Sequence, residues 1–334
     1  MDHRTRQRGR ISVAVAACSI IVLCIGLPGG PPAARAAAQG IPVGPAPPPS
    51  HETQRIKKGE ALKTQTELTL VGATVTDPLG RIVTGLERED FRVFEDGVEQ
   101  EVTWFSSQDV PVSIGVIFDM SGSMADKIER SRQAAVEFFR TANPQDEFFL
   151  VNFNNRAQLI SQFTGSVDDL QNRLNYAAAR GLTALYDGVY LGLSQMKGAH
   201  NTKKALLILS DGGDNHSRYS ESEVRRYVQE ADVQIYAIGL FGTNSPEERA
   251  GPSLLYDLTE MTGGRVFTVT NVNELPDIAT KISMELRDQY VLGYVPSHRA
   301  HDGKWRKIKV KLHPPKGLPP LTVFAKTGYF APGH

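Results

Sequence analysis

From residue 112 to about residue 288 the chain alternates short apolar runs with longer stretches of helical pattern, and this alternation restricts the fold more than any other feature. The apolar runs at 112–118, 148–153, 158–163, 205–209, 233–240 and 265–269 read as strands. The run Ala205-Leu206-Leu207-Ile208-Leu209 contains no polar residue, as expected of a strand buried on both faces. Helical stretches lie near 125–140, 167–178, 184–196, 221–231, 253–261 and 273–287. Six strands alternating with helices predict an α/β fold: a doubly wound, mostly parallel six-stranded sheet of Rossmann-like kind. Only Asn154-Asn155-Arg156-Ala157 joins the second run to the third. That link is too short for a crossover helix, so this pair is expected as an antiparallel hairpin at a sheet edge.

Both flanks are β in character. Before the alternating region, Val71, Ala73 and Val75 alternate with Gly72 and Thr74, and Asp96-Gly97 stands between 91–94 and 98–105 as a hairpin signal. After it, 289–295, 305–312 and 321–325 read as strands. Each flank is short for an independent fold. The expectation is one small β-sandwich built from residues 64–109 and 289–334, with Trp104 or Phe105 in its core and residues 110–288 inserted between the halves.

The N-terminal 38 residues read as a processing segment: four arginines, an apolar run from Ile11 to Leu27, and the small residues Ala36-Ala37-Ala38. A Sec-type signal peptide fits this order, giving a periplasmic or extracellular protein. An uncleaved membrane anchor needs about 20 apolar residues, and a lipoprotein would use Cys18. Residues 39–63 form a proline-rich linker. Both cysteines, Cys18 and Cys24, precede it, so the processed chain would hold no disulfide, thiolate metal site or cysteine nucleophile. Five of the 37 basic residues and one of the 37 acidic residues fall in the first 38, so the remainder carries a net −4. Without a basic stripe, such a body gives no electrostatic reason to bind nucleic acid. Membrane contact is expected only if the N-terminal segment stays uncleaved.

Three loop sequences carry the chemistry. Asp119-Met120-Ser121-Gly122-Ser123 follows the first strand of the α/β region, Gly181-Leu182-Thr183 opens a helix, and Ser210-Asp211-Gly212 follows the most apolar strand. Ligands of doubly wound sheets bind beyond the carboxyl ends of the strands. Oxygen-only donors suit a hard divalent cation, Mg²⁺ foremost, with Mn²⁺ or Ca²⁺ as alternatives. Taken alone, D-x-S-x-S is also a turn and capping pattern, with Ser123 or Asp126 capping the next helix. Both aspartates are expected on surface loops. Asp187 and Asp214 stand beside the motif as outer-shell or rim acids, and Asp187 could equally be a solvated helix-start acid.

These residues resemble the metal-ion-dependent adhesion site of von Willebrand factor A domains. Asp119, Ser121 and Ser123 match its first loop, Thr183 its second and Asp211 its third. Over residues 67–330 the chain also resembles a related family of exported proteins known mainly from acidobacteria. That likeness rests on Thr84-Gly85-Leu86, Glu89 through Gly97, Gln289-Tyr290-Val291-Leu292-Gly293-Tyr294 and Gly328-Tyr329-Phe330. The resemblance implies that Ser121, Ser123 and Thr183 bind the ion with neutral oxygens. Asp119 and Asp211 would act directly or through water. Weakly neutralised, such an ion would take an Asp or Glu carboxylate from a protein partner.

No enzyme is expected. G-x-S-x-G, H-E-x-x-H, Walker A and G-x-G-x-x-G are all missing from the sequence, and His216 is a lone loop histidine. The alternative reading is a structural or assembly component of the cell envelope, in which a metal only steadies loops.

Overall fold

A computed structural model describes residues 68–175, 178–241, 246–269 and 271–333. The signal-peptide and linker expectations lie outside these residues. The chain begins with strand β1 (Thr69–Thr76), then β2 (Phe91–Glu95), β3 (Val98–Gln100) and β4 (Val102–Ser106). Asp96 and Gly97, with φ of 48° and 85°, turn β2 into β3 as the Asp-Gly signal requires. The run 98–105, read as one strand, is broken at Glu101. β3 pairs with β2, whereas β4 joins another sheet beside a later strand.

The α/β region supplies β5 (Val112–Asp119), α1 (Ile128–Arg140), β6 (Glu147–Phe153), β7 (Ala157–Thr164), α2 (Val167–Asn175), α3 (Leu185–Gln195) and β8 (Lys203–Ser210). It continues with α4 (Glu221–Glu230), β9 (Gln234–Gly239), α5 (Pro246–Glu260), β10 (Val266–Thr268) and α6 (Leu275–Arg287). Helix α5 begins well before the expected residue 253, because Pro252 sits inside it rather than ahead of it. These six strands form one sheet in the order β10-β9-β8-β5-β6-β7. All pairs are parallel except β6 with β7, the edge hairpin. All eight residues of β5 are buried. Alternation along β8 sends Ala205, Leu207 and Leu209 into the core under α1 and α6, and Leu206 and Ile208 into the core under α3 and α4.

The last strands are β11 (Tyr290–Tyr294), β12 (Trp305–Leu312), β13 (Thr322–Ala325) and β14 (Gly328–Phe330). They complete two four-stranded sheets, β13-β1-β11-β4 and β14-β12-β2-β3. Each mixes strands from before and after the α/β region. One apolar cluster draws on both sheets, with Val71, Val75, Phe91, Val93, Leu292 and Ile308 among its buried members. Phe105 packs against this cluster and against Phe91 and Tyr290, while Trp104 points outward and is 44% exposed.

Candidate metal centre

Strand β5 pairs in parallel with β6 on one side and β8 on the other, so the strand order reverses at its carboxyl end. That is the position where doubly wound sheets open a ligand crevice. Asp119 is the last residue of β5 and is fully buried, not on a surface loop as its place before a turn implied. Its Oδ1 accepts from the Ser121 backbone N–H at 2.8 Å, and its Oδ2 accepts from the Ser210 hydroxyl at 2.6 Å. A single 3-10 turn, Gly122–Met124, then leads to α1. Neither that turn nor α1 has a side-chain cap, so Ser123 and Asp126 are not spent on capping. The hydroxyls of Ser121 and Ser123 instead stand 3.0 Å apart, the first buried and the second exposed.

The second loop is stitched to the first through backbone. Arg180 N–H donates to the Met120 carbonyl at 2.8 Å and Gly122 N–H to the Gly181 carbonyl at 3.0 Å. Gly181 has φ of +87°, and a Cβ there would lie 2.2 Å from Asn155 Oδ1, which already accepts from Leu182 N–H at 2.6 Å. Only glycine fits that conformation and that contact. Thr183, buried beyond it, donates its N–H to Asn215 Oδ1 at 2.9 Å and accepts from the N–H groups of Asn215 and His216.

The third loop leaves β8 at Ser210. Ser210 Oγ accepts from Gly212 N–H at 2.9 Å while donating to Asp119, and so ties this loop to the first. Gly212 has φ of +84° and is pressed against the Gly251 backbone. Asp211 is 2% exposed, and Lys127 Nζ lies 3.5 Å from its Oδ2. Hydrogen bonds thus gather all three loops at one end of the sheet. Ser210 and Lys127 were not singled out from sequence. Ser210 carries a signal, a hydroxyl at the strand end beside Asp211, whereas no sequence motif points to Lys127.

Asp187 and Asp214 brace the loops beside these residues. Asp187 is buried and accepts from the backbone N–H groups of Arg218 and Tyr219 and from Arg218 Nε, so it holds the end of the third loop. It is not a solvated helix-start acid. Asp214 accepts from Tyr186 N–H and from Ser217, fixing the start of α3.

The two carboxylates are buried close enough to repel one another. Burial pushes the Asp119 carboxyl up to about 7, with the Asp211 charge as the second cause and hydrogen bonds from Ser210 and Ser121 opposing. Lys127, 3.5 Å from Asp211 Oδ2, offsets part of that repulsion from the Asp211 side. Among the described residues no three His, Cys, Asp or Glu side chains gather as a metal cluster. An ion here would rely on hydroxyl oxygens beside the two carboxylates, and the uncapped Ser121 and Ser123 with Thr183 fit that donor set.

Residues 113–281 match the von Willebrand factor type A domain model. An uncharacterized protein of Borreliella burgdorferi is 25% identical over 184 residues, 47% of this chain and 54% of that protein. The inter-alpha-trypsin inhibitor heavy chain H4 of Sus scrofa is 25% identical over 151 residues, 41% of this chain and 16% of the heavy chain. The chain therefore spans about half of the first relative and a small part of the second. Among solved structures, a von Willebrand factor type A protein from Catenulispora acidiphila is similar with TM-score 0.47 and 12% identity. That likeness covers 79% of this chain and 75% of the other. The PilB minor pilin of Streptococcus sanguinis is similar with TM-score 0.46 and 16% identity, over 54% and 62% of the two chains. With its central half matched by the family model and its sheet built as described, this chain belongs to the von Willebrand factor type A domain family.

Proposed function

We propose that this chain is an exported, adhesion-type protein-binding module that grips an Asp or Glu carboxylate of a partner through one divalent cation, Mg²⁺ foremost. Domains of the family are generally protein-interaction modules, and many hold such an ion. Asp119, Ser121, Ser123, Thr183 and Asp211 would hold it here. When bound, the ion supplies an electrophilic site for one more anionic oxygen. The chain's own residues set its position: Ser210 and the Ser121 N–H orient Asp119, and the Gly122–Gly181 bond closes the first loop on the second. The observation that carries the reading is the pair of buried carboxylates, Asp119 and Asp211, beside hydroxyls that no helix cap consumes.

Export rests on the signal-like order of residues 1–38. Among the described residues no helix is long and apolar enough to cross a membrane. We read the two flanking sheets as a single sandwich into which residues 110–288 are inserted.

The test is capture from a cell-envelope extract on the immobilised chain, in Mg²⁺, in EDTA, and in EDTA with Mg²⁺ restored. Capture lost in EDTA and recovered with Mg²⁺, and absent for Asp211→Ala, is the expected result. Capture indifferent to EDTA favours the structural envelope component instead.

A further inference from the structure

The chain has only two tryptophans, and both line the same cleft, which meets β8 at its amino end, whereas the metal-site loop leaves β8 at its carboxyl end. The cleft has a volume of about 370 Å³, within the roughly 300–1,000 Å³ of small-molecule pockets. Its floor is the outer face of the sheet β13-β1-β11-β4. There Leu70, Gly293 and Trp104 form one row across three strands, since Leu70 pairs with Gly293 and Gly293 with Trp104. Glycine in the middle keeps the row low. A Cβ at Gly293 would meet Trp104 Cβ at 3.0 Å and Leu70 Cδ2 at 3.2 Å. Leu70 and Trp104 remain 43% and 44% exposed, an apolar surface that the fold leaves open to solvent.

The remaining lining comes from the start of β8 and the turn before β9, with Trp305 among the residues outside them. The Gln289 amide donates to Gln234 Oε1 at 2.9 Å and joins the two sides. The ionisable lining residues are Lys203, Lys204, Lys326 and Asp232. Lys326 pairs with Asp232 at 3.0 Å, and the Lys203 amine donates to the Leu286 carbonyl. Lys204 has no carboxylate partner among the described residues. An apolar floor beside Lys204, the one lining lysine with neither a carboxylate nor a carbonyl partner among the described residues, matches a ligand with a greasy body and a negative head.

We propose that this cleft is a second ligand site, which takes a small organic anion with an apolar body: the body against Leu70 and Trp104, the head paired with Lys204. The site does not depend on the metal reading.

Because Trp104 and Trp305 are the only tryptophans, intrinsic emission reports occupancy directly. Decanoate below its micelle concentration is the probe and decanol its neutral twin, with calorimetry alongside. Decanoate should change the emission saturably, bind one per chain, and do so equally in EDTA and Mg²⁺. Lys204→Glu should weaken decanoate at least tenfold while leaving decanol unchanged, and Trp104→Ala should weaken both at least tenfold. Both positions are at least partly solvent-exposed, and an unchanged far-UV spectrum checks that each variant folds. Unsaturable binding, decanol binding as tightly as decanoate, or parent-like decanoate affinity in either variant overturns the proposal. So does binding that EDTA abolishes, whatever becomes of the metal site.

Discussion

Asp119 sits fully buried within electrostatic reach of Asp211, and two measurements follow from that position. A divalent ion that binds only the folded chain stabilises it by mass action, about 2.7 kcal/mol at a hundredfold excess over its Kd. Melting curves with and without Mg²⁺ should show this gain in the parent and none in Asp119→Ala or Asp211→Ala. Ser121→Ala and Ser123→Ala should keep part of it. A parent chain whose melting point ignores every divalent ion would remove the metal site and the adhesion reading with it. The second measurement is of pH. Burial raises Asp119 from 3.8 and Glu285 from 4.5, each to about 7. Between those limits the folded chain holds protons that the unfolded chain has released, so stability in EDTA should fall as pH rises from about 4.5 to 7. Asp119→Asn should flatten that slope in part, leaving the share of Glu285. Mg²⁺ affinity should weaken as pH drops below 7, because proton and ion compete for the same carboxylate. Asp187→Ala tests a structural role: it strands the backbone N–H groups of Arg218 and Tyr219 and should cost about 1–3 kcal/mol in denaturant melts.

The flanking motifs gain a physical meaning once strands are paired. Glu95 of β2 is buried, and its Oε2 accepts from Tyr294 Oη of β11 at 2.7 Å and from Tyr329 Oη of β14 at 2.9 Å. Burial, reinforced for each phenol by Glu95, raises both tyrosines, so they remain protonated donors. Tyr290 does the same for the loop before β2: it donates to the Val83 carbonyl and accepts from Leu86 N–H. Glu95→Ala should therefore cost about 3 kcal/mol in chemical denaturation, since it leaves two phenols without their charged acceptor. Tyr329→Phe should cost less, and a loss below a few tenths of a kcal/mol for Glu95→Ala would disprove the network's importance. The α/β strands were legible in sequence because apolar runs such as 205–209 admit no other placement. The gathering of the three loops at one sheet end was legible because strand ends and turn glycines bracket them. What sequence hid depends on tertiary partners. Glu101 breaks an unbroken alternation because β3 and β4 bond to different sheets, and Asp119 looks like a turn residue until β6 and β8 bury it.

Residues 64–109 and 289–334 each supply strands to both four-stranded sheets, so neither segment should fold by itself. Expressed separately, each is expected to give an unfolded far-UV circular dichroism spectrum. Expressed together, or joined by a short glycine–serine linker in place of residues 110–288, they should give a cooperative β spectrum. A folded signal from either alone would show that the segments are independent domains. The chain departs for the α/β region from β4 and returns into β11, and these strands lie side by side, with Ser106 opposite Val291. Both attachments of the A domain thus leave neighbouring antiparallel strands at the same end. A bound partner tugging along that direction would load the host sheet in shear. Because antiparallel rungs run perpendicular to the strands, those between Thr69–Ala73 and Tyr290–Tyr294 would share the load together instead of peeling apart one by one.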